Sequence, residues 1–123
     1  MEKKVATAIF ESLSCGVRLD VYRLLVKQVA KGMVAGEIAS TLEVPSTNLS
    51  FHLKTLTQSR LLEVKQEGRF QRYRANIPLM LDLIAYLLDA CCSGDPEQCI
   101  RAKWEVVPSK PNSFQRGRKL PLA

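Results

Sequence analysis

The sequence predicts a mainly α-helical domain that carries one small β-hairpin, and three observations predict it. Apolar residues recur at three- and four-residue intervals from Glu2 to Ser59 and again from Ile77 onward, the period of helices with one buried face. From Leu62 to Ala75 the period drops to two around Glu67-Gly68. The composition, 46% hydrophobic and 24% charged over 123 residues, is that of a folded domain and excludes wholesale disorder or a fibrous polymer.

Taken in order, Glu2 to Ser14 places Val5, Ile9, Phe10 and Leu13 at helical spacing, and Arg18 to Val29 repeats the pattern with Leu19, Tyr22, Leu25, Val26 and Val29. Cys15-Gly16 splits these two helices, and Gly32 closes the second. Val34 to Leu42 is a short third helix with Ile38, Ala39 and Leu42 on one face. Val44-Pro45-Ser46 ends it, because proline lacks an N–H and cannot sit in a helix interior, and Ser46 is placed to cap the next helix. This fourth helix runs from about Thr47 to Ser59. Its Leu49, Leu53 and Leu56 form an inward stripe and turn Ser46, Asn48, Ser50, His52 and Lys54 at least partly outward. Leu62 to Gln66 and Arg69 to Ala75 then alternate as a hairpin with Gly68 at its turn. Ile77 to Cys92 is the last helix, with Pro78 in its first turn and Leu79, Leu83, Ile84, Leu87 and Leu88 along a broad apolar face. The first and last helices carry more apolar surface than one small core can use, which a symmetric homodimer pairing them would cover.

The net charge of +6 is unevenly distributed. Residues 1–100 hold twelve Lys and Arg against eleven Asp and Glu, whereas Arg101, Lys103, Lys110, Arg116, Arg118 and Lys119 face only Glu105 in the last 23 residues. Residues 1–100 therefore form the expected domain and 101–123 a basic, proline-containing tail, flexible from about Val106. A basic excess favours a polyanionic partner, nucleic acid before membrane. Asp82 and Asp89 interrupt the most apolar stretch, well short of the roughly 18 to 20 apolar residues of a membrane span. The N-terminus lacks a secretory pattern, so the expected location is the cytoplasm.

Two short helices joined by a tight turn, the third and fourth here, make a helix-turn-helix, whose second helix reads the major groove of DNA; a basic hairpin after it makes the winged form. The expected DNA-binding side chains are Ser46, Thr47, Asn48, Ser50, His52 and Lys54 on the helix and Arg69, Gln71 and Arg72 on the wing, with Lys65 and Arg74 nearby. Short hydroxyl and amide groups bond base edges, while Lys and Arg neutralise phosphates. His52, the only histidine, suits either a structural hydrogen bond or a DNA contact; a histidine-based metal site would need a second one.

The runs Leu13-Ser14-Cys15-Gly16-Val17-Arg18-Leu19, Gly36-Glu37-Ile38-Ala39, Leu49-Ser50-Phe51-His52-Leu53-Lys54-Thr55-Leu56 and Glu67-Gly68-Arg69-Phe70-Gln71-Arg72-Tyr73 resemble the ArsR (SmtB/ArsR) family of bacterial winged-helix repressors, over about Ala6 to Cys92. The resemblance implies a homodimer held by its first and last helices, bound to double-stranded operator DNA with an inverted repeat and leaving it when an inducer binds.

The inducer is read from the cysteines. Cys91 and Cys92 are adjacent where the last helix is expected to end, and Cys99 comes after a turn at Ser93-Gly94-Asp95-Pro96 that can fold it back, so three thiolates can meet. An all-sulfur, three-coordinate set suits a soft trivalent metalloid, As(III) or Sb(III); zinc and cadmium want a fourth ligand. The family's familiar arsenic site has a cysteine-x-cysteine motif on the helix before the reading helix, but Gly36 to Leu42 holds no cysteine. The carboxy-terminal trio instead resembles an arsenic-responsive subgroup with vicinal cysteines at the end of the last helix. The family's zinc site would need histidines beside Asp82 and Asp89. Thiol oxidation sensing is the alternative use of the same cysteines. Cys15 is expected as a small buried apolar residue, with a redox partnership open. No cysteine has the cysteine-x-x-cysteine or arginine-cradled context of a thiol enzyme, so catalysis and organic cofactors are not expected.

Overall fold

A computed structural model describes residues 1–89. The expected helical end at Cys92, the thiols of Cys91, Cys92 and Cys99 and the basic tail lie outside the described residues. The element order is α1 Lys3–Leu13, α2 Gly16–Lys27, β1 Met33–Val34, α3 Ala35–Leu42, α4 Ser46–Gln58, β2 Leu62–Glu67, β3 Phe70–Ala75 and α5 Ile77–Leu87. The chain divides into two compact units, Met1–Ile84 and Ala85–Ala123; of the second, only the end of α5 and the turn after it are described.

The core of the first unit is built from helical stripes. Ala6 and Ile9 of α1, Val21, Tyr22 and Leu25 of α2, Ile38 of α3 and Leu49, Leu53 and Leu56 of α4 are all buried, joined by Leu61, Leu62, Ala75 and Leu83. On α1 the buried stripe is Ala6, Ile9 and Ser12, which leaves Val5 and Phe10 exposed. Periodicity places both on the core face; of the expected α1 stripe the helix buries Ile9, with Ala6 and Ser12 beside it. α2 likewise leaves Leu19, Val26 and Val29 exposed. None of the described helices is long and apolar enough to cross a membrane.

Three boundaries differ from those expected. α2 ends at Lys27, and Gly32 is not its cap: it lies at the entry to β1, with φ 71°. β1 has no counterpart in the sequence pattern, because two residues are too short to show a period; it pairs antiparallel with β3 through Met33 with Tyr73 and Val34 with Arg72, giving the sheet order β1-β3-β2. Val34 thus belongs to a strand and not to α3. Its N–H donates to the Glu37 carboxylate at 3.1 Å, which seats an acidic group on the first turn of α3. Third, a turn at Leu88 and Asp89 follows α5 at Leu87, with Asp89 placing a carboxylate at the electronegative end of the helix.

The hairpin forms as expected, with Gly68 at φ 61° in the turn, but the turn is Gly68-Arg69 and not Glu67-Gly68, so the strands pair from Leu62 opposite Ala75 to Glu67 opposite Phe70. The Asn76 Oδ1 accepts the Leu79 N–H, capping α5, while its Nδ2 donates to the Arg60 carbonyl, so one side chain ties the hairpin exit to the end of α4.

The two glycines with positive φ differ in their surroundings. A Cβ at Gly32 would lie 2.8 Å from both the Tyr73 carbonyl oxygen and Arg74 Cγ, whereas a Cβ at Gly68 meets nothing within 4 Å. Gly32→Ala is expected to destabilise by about 1–3 kcal/mol, through strained φ and displacement of the β1–β3 pairing. Gly68→Asn is expected to stay within about 0.5 kcal/mol, since asparagine tolerates the left-handed region. Urea unfolding of the two variants beside the parent measures both.

Candidate nucleic-acid interface

α3 and α4 form the helix-turn-helix. Glu43, at φ 56°, reverses the chain after α3, and the Val44 N–H returns to the Ala39 carbonyl. Pro45 is the residue flanking α4, and Ser46 is its first helical residue and not the cap that the sequence suggests. The Ser46 carbonyl instead accepts the Ser50 hydroxyl at 3.1 Å. Without a side-chain cap, the first turn of α4 keeps its backbone N–H groups free for an outside acceptor.

The direction of every α4 side chain follows from the leucine stripe. Successive residues of a helix are rotated by about 100°, so with Leu49, Leu53 and Leu56 buried, the opposite face is centred on Thr47, Phe51, Lys54 and Gln58. All four are exposed, as are Ser46, Asn48 and Ser50. Phe51 is 66% exposed and stands at the middle of this face. It is absent from the expected set because an aromatic on an amphipathic helix reads as core; the same leucine spacing that places its neighbours shows that it cannot be.

The wing splits its expected residues between two faces. Val64, Gln66, Gln71 and Tyr73 lie on one side of the hairpin and Lys65, Arg72 and Arg74 on the other, as alternation along paired strands requires. The first side faces α4: an open groove of about 650 Å³ is lined by Ser50, Lys54 and Thr57 of α4, Ala35 of α3 and Val64, Gln71 and Tyr73 of the hairpin. It adjoins a second of about 360 Å³ that adds Gly36, Gln66, Arg69 and Phe70. Of the expected set, the fold therefore brings Ser50, Lys54, Arg69 and Gln71 together. Gln71 is oriented by accepting the Tyr73 hydroxyl at 3.1 Å and donating to Gln66 at 3.3 Å.

Arg72 and His52 are turned elsewhere. Arg72 Nε donates to Glu67 at 2.9 Å, and its Nη1 reaches the Gly32 carbonyl at 3.3 Å and the Lys31 carbonyl at 3.4 Å. The guanidinium thus holds the hairpin to the segment before β1. Its hydrogen bond keeps the Glu67 carboxyl below its ordinary pKa, and Glu67 in turn raises that of Arg72. His52 is half-buried, with Nδ1 3.2 Å from Arg18 Nη1. Arginine has no acceptor, so Nδ1 accepts and the ring proton sits on Nε2. Arg18 Nε also donates to the Ser12 carbonyl at 2.7 Å, so one side chain clamps the end of α1, the start of α2 and the middle of α4. Of the two roles left open for His52, the structure shows the hydrogen-bonded one.

Cys15 is half-exposed at the N-terminal cap of α2 and is not the buried residue expected. The backbone N–H of Arg18 holds its thiol below the ordinary pKa, against a smaller opposing effect of burial, with help from the Val17 N–H and the Arg18 charge. Among the described residues, no group of three His, Cys, Asp or Glu side chains is placed to hold a metal ion.

A family model described as a helix-turn-helix domain matches residues 13–65, from the end of α1 into β2. Solved structures with the same architecture include an ArsR-like transcriptional regulator from a Rhodococcus species, at 22% identity, TM-score 0.60 and coverage of 95% of this chain and 96% of that one. HlyU from Vibrio cholerae is similar at 25% identity and TM-score 0.56, covering 71% of this chain and 97% of its own. The homodimeric winged helix-turn-helix DNA-binding domain of a Mycobacterium bovis protein, solved by NMR, matches at 23% identity and TM-score 0.56, covering 72% and 82%. This chain has the winged helix-turn-helix fold that these structures share. No curated protein sequence matches it.

In this winged helix-turn-helix fold the Arg18–His52 contact is a polar link from α4 to α2 and, through Arg18, to the end of α1. A double-mutant cycle of Arg18→Ala and His52→Ala should give a coupling of about 0.5–1.5 kcal/mol in thermal or urea unfolding. Additive losses would mean that the 3.2 Å contact contributes nothing.

Proposed function

We propose that this chain is a transcriptional repressor that binds operator DNA as a homodimer and is released when As(III), or Sb(III), is held by Cys91, Cys92 and Cys99. It is a regulator's architecture and not an enzyme's. The observation that carries the DNA half is the exposed outer face of α4, continuous through the groove at Ser50 with Arg69 and Gln71 of the wing. Thr47, Asn48, Ser50 and Gln71 supply donors and acceptors for base edges, Lys54 and Arg69 supply charge for phosphates, and Ser46 opens the helix at the backbone side. His52 and Arg72 serve by holding α4 and the wing in place.

The dimer is supported by apolar surface left over after the core is complete. Val5 and Phe10 on α1, and Leu81 and Ile84 on α5, are exposed, Leu81 at 60%. Covering such faces by a second copy would present two reading helices to DNA at a spacing near one turn, about 34 Å. The M. bovis domain is a homodimer. An inverted-repeat operator follows from that symmetry.

The inducer half rests on sequence. Three thiolates are the donor set a soft, three-coordinate ligand takes, and Cys91 comes four residues after Leu87, where α5 ends. Joining these thiols would constrain the chain that leaves α5, one of the two helices assigned to the dimer. A coupling of about 1–3 kcal/mol between that site and DNA would make a working switch. Oxidation sensing is the second reading, and the lowered pKa of the half-exposed Cys15 thiol favours it.

Mobility shifts of a bound duplex titrated with arsenite, antimonite, zinc and peroxide separate the two. Arsenite is expected to release the parent, and the Cys91→Ser/Cys92→Ser/Cys99→Ser variant should bind DNA equally well and ignore arsenite; peroxide release that is lost in Cys15→Ser would establish the oxidation reading instead. For the interface, Arg69→Ala and Lys54→Ala should each lower the slope of log affinity against log salt by about 0.9. A slope unchanged in both would exclude those residues from phosphate contact.

A further inference from the structure

We infer that Phe51 is a specificity-determining residue of the reading face and contacts the C5 methyl group of a thymine in the major groove; the inference rests on the DNA-binding function proposed above. Phe51 lies two positions, or about 200° of helix rotation, from both Leu49 and Leu53, so it points away from the core as directly as any α4 residue can. At 66% exposure its ring is largely in water. Its helical neighbours are Thr47 one turn before, Lys54 and Thr55 one turn after, and Gln58 two turns after. An apolar ring surrounded by hydroxyl, amide and ammonium groups is not a patch for an apolar protein surface, which would need contiguous apolar area. The charge nearby, from Lys54 and from Arg69 across the groove, complements a polyanion.

The major groove offers donors and acceptors at every base pair but one apolar feature, the thymine methyl, which Phe is chemically suited to contact. The ring is also held for the task. It packs edge-on against His52, centroids 5.9 Å apart at 66°, and His52 is fixed by Arg18. The Phe51 carbonyl accepts the Thr55 hydroxyl at 3.2 Å.

The test uses the full-length chain. Sites are selected from a random duplex library, and each thymine of the selected site is then replaced singly by deoxyuridine, which removes only the methyl. One thymine per half-site is expected to lose roughly fourfold in affinity on that replacement. Phe51→Ala should bind the selected site roughly tenfold more weakly, no longer distinguish thymine from deoxyuridine there, and melt with the parent because the ring is exposed. Affinity unchanged in Phe51→Ala, or a deoxyuridine penalty that survives it, overturns the assignment while leaving the DNA-binding function standing. A library that returns no enriched sequence refutes the DNA-reading function itself, and the role of Phe51 with it.

Discussion

The constraint on which the rest of this structure depends is the burial of Leu49, Leu53 and Leu56 along one side of α4. Burying a leucine contributes on the order of 2 kcal/mol, so the three together hold the rotation of the helix with about 6 kcal/mol, a sum comparable with the whole net stability of a small domain. Turning α4 by a single residue, about 100°, would expose part of this stripe and put Ser50, Lys54 and Thr57, or Asn48, His52 and Thr55, in its place. The outward order Thr47, Phe51, Lys54 is thus a consequence of packing on the inside, and polar contacts only refine it. Arg18 is the main refinement: it binds the Ser12 carbonyl at the end of α1, where helical carbonyls lack partners, and uses its second arm on His52.

The wing is positioned by an analogous division. The sheet is only three strands, and its middle strand β3 is paired on both sides, by β2 and by the two residues of β1. That short pairing needs the backbone to approach β3 closely, which Gly32 permits, and Arg72 then bonds to the carbonyls of Lys31 and Gly32 from the hairpin side. Lys65 stands directly opposite Arg72 across the hairpin, a like-charge pair that would push the strands apart; Glu67, diagonal to it, takes the guanidinium at 2.9 Å and offsets the repulsion. One face of β3 is therefore spent on holding the wing, and the other, with Gln71 and Tyr73, is left to line the groove beside α4.

Much of this is legible in the sequence, and the rest is hidden for identifiable causes. The four leading helices and the hairpin come from periodicity and from Gly68, because those signals extend over many residues; the turn itself lies one residue later than they suggest, at Gly68-Arg69. β1 escapes because two residues carry no period, and Gly32 reads as the end of the helix before it for the same reason: a glycine with positive φ marks a break, but the sequence does not say whether a helix ends or a strand begins. On α1 and α2 the periodic apolar positions divide, since Ile9, Tyr22 and Leu25 are buried as expected while Val5, Phe10, Leu19 and Val26 are exposed. A sequence shows which residues avoid water, and not whether their own chain or another surface covers them. On α4 the same ambiguity hides Phe51, and polarity alone makes His52 and Arg72 look available when each has an intramolecular partner. Hydrogen bonds between residues 34 and 40 or more positions apart, such as Arg18 with His52 or Arg72 with the Lys31 and Gly32 carbonyls, have no local signature.

The division between committed and uncommitted side chains bears on how a DNA-reading surface is built. Every polar group that a helix presents can either bond within the protein or be kept for an outside partner, and a group committed internally contributes order but not recognition. On α4 and the wing, His52 and Arg72 are committed, while Thr47, Asn48, Lys54 and Arg69 have no side-chain hydrogen bond among the described residues. Rigid framing by the first kind lowers the entropy that the second kind would lose on ordering against a duplex. Phe51 fits neither class, since it has no polar group to commit. Its exposure carries a hydration cost in the free protein, and contact with an apolar base feature would remove that cost on binding. An exposed aromatic amid polar side chains is therefore the feature of the reading helix that packing within the chain explains least and recognition explains best.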